Sequence, residues 1–166
     1  LEGTTRADVC IVGGGYAGLW TALKVKAAEP AVDVVILERD LCGSGASGRN
    51  AGYLMSWWSK YLSLGKLCGT TEALRIAQAS DAAVDDILAF CRAHAIDADF
   101  RPDGWLWAAA NDAQHGLWRE TIDALGHHDH APLVEWTGEQ ARARCGASDL
   151  VSGAYEAHVT RVQPAL

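Results

Sequence analysis

No apolar run in the 166 residues approaches the roughly 18 to 20 that a membrane-spanning helix requires. The N-terminus also lacks the basic and then apolar stretch of a secretory signal. These absences lead to the expectation of a soluble, cytoplasmic protein. Basic residues are few and scattered, with 14 Lys and Arg against 21 Asp and Glu, a net charge of -7. Nothing in that balance draws the chain to a phosphate backbone, so nucleic acid is not an expected partner. The five cysteines Cys10, Cys42, Cys68, Cys91 and Cys145 are odd in number and form no C-x-x-C pair. Neither a disulfide framework nor a cysteine zinc site is suggested, and the cysteines read as small apolar fillers. At 49% hydrophobic and 21% charged the composition is that of a folded domain, which excludes disorder and collagen-like repeats.

What is present is concentrated in the first fifty residues. Asp8 to Val12 is short, β-branched and continuously apolar, as a strand buried on both faces of a parallel sheet should be. It runs directly into Gly13-Gly14-Gly15-Tyr16-Ala17-Gly18, a G-x-G-x-x-G pattern, and then into helical spacing from Leu19 to Ala28. Each glycine has a separate task. Gly13 permits a tight turn, Gly15 allows the backbone to approach a pyrophosphate, and Gly18 lets the helix lie close to the strand. The helix start offers unpaired N–H groups and a partial positive charge to phosphates. Val32 to Leu37 is a second apolar run, tipped by Glu38 twenty residues beyond Gly18. A carboxylate there accepts hydrogen bonds from both ribose hydroxyls and repels a 2′-phosphate, which favours FAD or NAD over NADP.

A second polar, glycine-rich stretch, Gly43 to Gly52, separates flavin from nicotinamide, because it is longer than a strand-to-helix turn requires. Taken together, Asp8 through Leu23 and Gly45-Ala46-Ser47-Gly48-Arg49-Asn50-Ala51-Gly52 resemble the FAD-dependent amine and amino-acid oxidase family that includes D-amino-acid oxidase, glycine oxidase and sarcosine oxidase. The likeness continues more loosely through Gly104-Trp105-Leu106-Trp107, Gly153-Ala154-Tyr155 and Val162-Gln163-Pro164. It implies an α/β fold: a Rossmann-like FAD-binding unit, incomplete here, plus part of a mixed-sheet substrate domain. It also implies FAD with its pyrophosphate over Gly13, Gly14, Gly15, Tyr16, Ala17 and Gly18, its ribose on Glu38, and Arg39 near the adenine end. Ala46, Ser47, Arg49 and Asn50 would reach the pyrophosphate and flavin side, with the backbone of Ala51 and Gly52 close to the ring. Some relatives attach FAD covalently through a histidine in this stretch. Arg49 holds the matching position, so noncovalent FAD is expected.

The activity that the resemblance implies is oxidation of the CH–NH bond of a primary or secondary amine or an amino acid. Hydride passes to flavin N5, the imine hydrolyses, and oxygen restores the flavin with release of hydrogen peroxide. No catalytic acid or base is singled out. Trp57, Trp58, Trp105 and Trp107 are candidates for an amine pocket, with core packing as the commoner role for such residues. Two other readings compete: an NAD-dependent Rossmann dehydrogenase, and a nucleotide-binding but non-catalytic subunit of a heteromeric oxidoreductase.

The remainder of the chain reads as packing elements. Leu74, Ala77, Val84, Ile87, Leu88, Cys91 and Ala95 mark one face of a long helix over about 71–95, with Asp81, Asp85 and Asp86 on its polar side rather than in a metal cluster. Phe100 to Ala108 predicts strand, turn and strand, and Asn111 to Leu125 a helix. His127-His128-Asp129-His130 is read as an exposed polar loop, not a metal site. Leu133 to Trp136 and Leu150 to Ala157 read as strands, Thr137 with Gln140 as a capping box, and Pro164 as suited to a helical first turn. The expected division is 1–95 for the first part of the FAD-binding domain, 96–158 for the first part of the substrate domain, and 159–166 for a return. The family fold needs about twice this length, so a C-terminal remainder is expected as a fragment, a subunit or a further stretch of chain. A small-molecule amine is the other expected partner.

Overall fold

The computed structural model describes residues 3–126 and 132–165. They divide into two compact units, Leu1–Ala51 with Gln163–Leu166, and Gly52–Val162. In the first unit β1 (Val9–Val12) and β2 (Val34–Leu37) pair in parallel, with Val9 opposite Val34 and Val12 opposite Leu37. The crossover between them is α1 (Tyr16–Ala28), the helix that a short parallel pair requires. The helix starts three residues before the predicted Leu19, because the glycine turn needs only Gly13 to Gly15. Val12 is 85% exposed and Leu41 73%, so these apolar side chains are left uncovered in this unit.

The second unit is built on a three-stranded antiparallel sheet ordered β4 (Trp105–Ala109), β6 (Ser152–Glu156), β5 (Leu133–Thr137). The central strand, β6, is the last of the three in sequence, and Trp105 and Leu133 both lie opposite its Glu156. Helices α2 (Tyr61–Cys68), α3 (Thr70–Ala93) and α4 (Arg119–Leu125) complete the core with Trp58, Tyr61, Leu64, Ala73, Ala77, Trp118, Leu125 and Leu133. A two-stranded pair joins β3 (Tyr53–Leu54) to β7 (Thr160–Arg161).

Several expectations are corrected here. The strand anticipated at Phe100 does not form; a single antiparallel bridge joins Arg101 to Arg161 of β7. The helix anticipated over Asn111 to Leu125 is broken by Gly116, whose φ of 76° is left-handed, leaving a 3-10 turn at Asp112–Gln114 and the short α4. The helix α2 has no counterpart in the expectations. After β7, Pro164 and Ala165 lie in a turn.

Thr137 caps α5 (Gly138–Cys145) as its spacing predicts: Gln140 N–H donates to Thr137 Oγ1 at 3.2 Å, and Thr137 N–H donates to Gln140 Oε1 at 2.9 Å. Thr137→Ala removes the hydroxyl acceptor and should lower stability by about 1 kcal/mol, read as a fall in denaturant midpoint at unchanged slope.

Candidate dinucleotide-binding site

The site is assembled in the first unit by two backbone turns that lock together. Gly13 stands at φ 104°, a conformation that side chains resist, and its N–H donates to Leu37 O at 2.8 Å, extending the sheet by one bond before the chain turns. A Cβ on Gly18 would collide with the carbonyl oxygen of Gly13, so only glycine lets α1 start this close to the strand it leaves. Leu19 N–H is the first to close back, onto Gly15 O at 3.0 Å. The opening turn of the helix therefore presents amides with no carbonyl of its own helix to take them.

Glu38 is tied into that turn. Its Oε2 accepts from Gly14 N–H at 2.7 Å and its Oε1 from Asp40 N–H at 3.0 Å. The Gly14 bond first, then the Asp40 bond, hold the carboxyl below its ordinary value, so Glu38 is an anion at neutral pH. Each carboxylate oxygen keeps acceptor capacity beyond its one backbone bond.

The second glycine-rich stretch folds back onto the first. Gly43 N–H donates to Gly14 O at 2.9 Å, and Ser47 Oγ accepts from Tyr16 N–H at 2.9 Å across 31 residues of sequence. Ala46–Gly48 is a 3-10 turn, closed by Asn50 Nδ2, which donates to Ser47 O at 2.7 Å. A cleft of about 280 Å³ results, whose walls include Gly15, Glu38, Arg39, Ala46, Ser47 and Arg49. A Cβ on Gly15 would stand 3.0 Å from Ser47 Oγ, a tight contact that the glycine avoids.

Of the residues singled out in the sequence, these six therefore meet on one cleft. Gly13, Gly14 and Gly18 shape the turn behind it, Tyr16 and Ala17 open α1, and Asn50 braces the 3-10 turn. Ala51 is outside the cleft lining, and Gly52, at φ 71°, belongs to the second unit, where its carbonyl accepts from Val162 N–H. Asp40 is not singled out in the sequence, and Gly43, Ser44 and Gly45 enter there as part of the glycine-rich stretch but not as cofactor contacts; all four also line the cleft. Their position directly after the Glu38 tip was the available signal.

The tryptophans divide by burial. Trp58 is 2% exposed and belongs to the core, Trp105 and Trp107 pack partly buried against it, and Trp57 is 52% exposed. Trp107 meets Trp118 edge-on at 6.1 Å between centroids. Asp81 and Asp85 both hydrogen-bond to the His158 ring. Among the described residues no group of three or more His, Cys, Asp or Glu side chains is placed to hold a metal ion, and the 127–130 segment lies outside them. No described helix is long and apolar enough to cross a membrane.

A parallel strand pair joined through a glycine turn and a right-placed helix, with an anionic carboxylate at the second strand's tip, is the nucleotide-binding unit of a Rossmann-like fold. The family described as FAD dependent oxidoreductase matches residues 8–166, and the chain belongs to it. Its cofactor is accordingly FAD, and the residues present suit one: Gly15 at the start of α1 and an anionic Glu38 lie on a single cleft. Among curated relatives, gamma-glutamylputrescine oxidoreductase of Escherichia coli (strain K12) is 35% identical over 95% of this chain and 36% of its own length. A probable oxidoreductase, OrdL, of Rhizobium meliloti (strain 1021) is 29% identical over 99% of this chain and 38% of its own. The chain thus spans little more than a third of the relatives it matches. Glycine oxidase from Geobacillus kaustophilus shares the fold, with a TM-score of 0.72 and 23% identity over 98% of this chain and 42% of that one.

Proposed function

We propose that the protein oxidises the carbon–nitrogen bond of a primary or secondary amine or an amino acid. The observation that carries this reading is the convergence of Gly15, Glu38 and the turn from Ala46 to Arg49 on one cleft at the start of α1. Amine chemistry is supported by the relatives, one named for gamma-glutamylputrescine and another for glycine.

Within this proposal the Gly13–Gly18 turn and the positive end of α1 hold the pyrophosphate, supported by Ser47, Arg49 and Asn50. Glu38 takes the ribose hydroxyls as acceptor, and Arg39 lies toward the adenine. Ala46 adds to the cleft wall, and the backbone of Ala51 and Gly52 faces the ring. When bound, FAD supplies a two-electron acceptor at N5 that oxygen can regenerate with release of hydrogen peroxide. The chain's part is to position: its glycines admit the phosphates, its amides offset their charge, and Glu38 selects a free 2′-hydroxyl. The imine left by the substrate hydrolyses in water. We further propose that 1–95 is the first part of the FAD-binding domain, 96–158 the first part of the substrate domain, and 159–166 a return toward the former.

The purified full-length protein should be yellow, and acid precipitation should release the flavin into the supernatant, in keeping with Arg49 at the position of the tethering histidine; flavin that stays with the precipitate would mark a covalent link elsewhere, such as a cysteine outside this chain. Peroxide should form with at least one member of a panel of amines and amino acids. A colourless protein that binds NAD instead overturns the reading; a yellow one inert toward the whole panel under oxygen and artificial acceptors marks a non-catalytic subunit.

A further inference from the structure

Three segments far apart in sequence meet at the start of α1, all of them in the first unit. Tyr16 is the first residue of the helix, and its N–H donates to Ser47 Oγ at 2.9 Å. Its side chain reaches a third segment, the hydroxyl donating to Pro164 O at 3.0 Å across 148 residues of sequence. Gly48 and Ala165 close the triangle, since a methyl built on Gly48 would stand 3.8 Å from Ala165 Cβ, in ordinary van der Waals contact. Gln163 braces the same segment from within, its Oε1 accepting from Ala165 N–H at 3.2 Å.

Little else holds the helix start in place. The N-cap, Gly15, has no side chain with which to cap the helix, and no residue of α1 is fully buried. Apolar burial, which fixes most helices in their folds, is therefore weak here. The close approach of Gly18 to the Gly13 carbonyl sets the distance of α1 from β1, but a helix held at one point can still tilt about it. Ser47 and Pro164 supply two further points, both through Tyr16. The Tyr16 ring is 44% exposed, so its side chain contributes chiefly through the hydroxyl bond. With the Tyr16 amide engaged by Ser47, Ala17 and Gly18 carry the next amides that have no carbonyl of their own helix to take them. Those amides point along the helix axis, so the tilt of α1 decides where they aim.

We propose that Tyr16 is a positioning residue of the cofactor site: its hydroxyl, held on the Pro164 carbonyl, fixes the tilt of α1 so that the helix-start amides aim at the pyrophosphate. This role rests on the reading that FAD lies at the Gly13–Gly18 turn. It adds that residues 163–165, which are outside the cleft lining, take part in holding the cofactor. A single neutral hydrogen bond at a partly exposed place changes binding by a few-fold rather than by orders of magnitude. Linkage makes the effect reciprocal: a Tyr16–Pro164 bond that favours FAD is itself favoured by bound FAD.

The test uses the full-length protein, freed of flavin and titrated with FAD and, separately, with ADP, which shares the pyrophosphate and ribose but lacks the flavin. Tyr16→Phe, which removes only the hydroxyl, should weaken both by about threefold and by the same factor. Amide exchange over 163–165 should slow when the natural protein is saturated with FAD, and this response should be absent from Tyr16→Phe. A general loss of stability would not abolish that coupling, and its measurement in the natural protein needs no variant. Equal affinities in the two proteins overturn the role of Tyr16, and so does a loss confined to FAD, because ADP carries the same pyrophosphate. Exchange over 163–165 that FAD leaves unchanged in the natural protein overturns it as well. A natural protein that binds no FAD defeats the cofactor reading and this role with it; one that binds FAD while Tyr16→Phe makes no difference defeats this role alone.

Discussion

Gly18→Ala is expected to give a protein that no longer retains FAD through purification. The added methyl would lie inside the contact distance of the Gly13 carbonyl oxygen and tight against the Ile11 side chain. Backbone carbonyl cannot turn aside as a flexible side chain can, so α1 must move away from β1. Overpacking of this kind costs about 1–3 kcal/mol. The larger consequence is geometric, because the amides at the start of α1 and the Gly13–Gly15 turn are the parts proposed to hold the pyrophosphate, and both shift. We expect FAD affinity to fall by about 100-fold or more, measured by flavin fluorescence quenching on titration into apoprotein, with circular dichroism showing retained secondary structure. Unchanged flavin content in Gly18→Ala would separate the turn from cofactor binding.

Glu38→Ala should have the second largest effect. The substitution frees two amides, Gly14 N–H and Asp40 N–H, that now share one carboxylate, and it removes the acceptor proposed for the ribose. Flavin affinity should weaken by about tenfold or more. Glu38→Gln should fall between Glu38→Ala and the natural protein, since the amide keeps one oxygen acceptor but loses the charge. Acid gives an independent reading. The folded carboxyl gives up its proton more readily than at its ordinary value of 4.5; that is, its folded pKa is lowered. Its contribution is therefore present above that value and is lost as pH falls below it, through the folded pKa. Acid release of flavin from the natural protein should show this step, and Glu38→Ala should lack it. An acid profile identical in the two proteins would mean that Glu38 plays no part.

The two glutamates Glu38 and Glu156 are shifted in opposite directions because their environments are opposite. Glu38 is met by two N–H donors, which favour the charged form, whereas burial of Glu156 favours the neutral one against the opposing Ser56 hydroxyl. Residue type alone does not distinguish them.

What the sequence by itself determined is what short-range physics controls. The glycine spacing from Gly13 to Gly18, the apolar run before it and the acid after β2 are each specified within a few residues. So are the apolar face of α3 and the Thr137–Gln140 box, where a side chain answers an amide three positions away. The Gly116 break shows the limit even locally, since helical periodicity over Asn111 to Leu125 ran through a residue that adopts a left-handed conformation. Only the tertiary structure decided that β6 lies between β4 and β5, that Ser47 accepts from the first amide of α1, and that Ser56 meets Glu156. Those contacts join residues 31 to 100 positions apart, and no periodicity records them. They arise from which apolar faces can be buried together once the chain has closed its long loops, a property of the whole packing rather than of any segment.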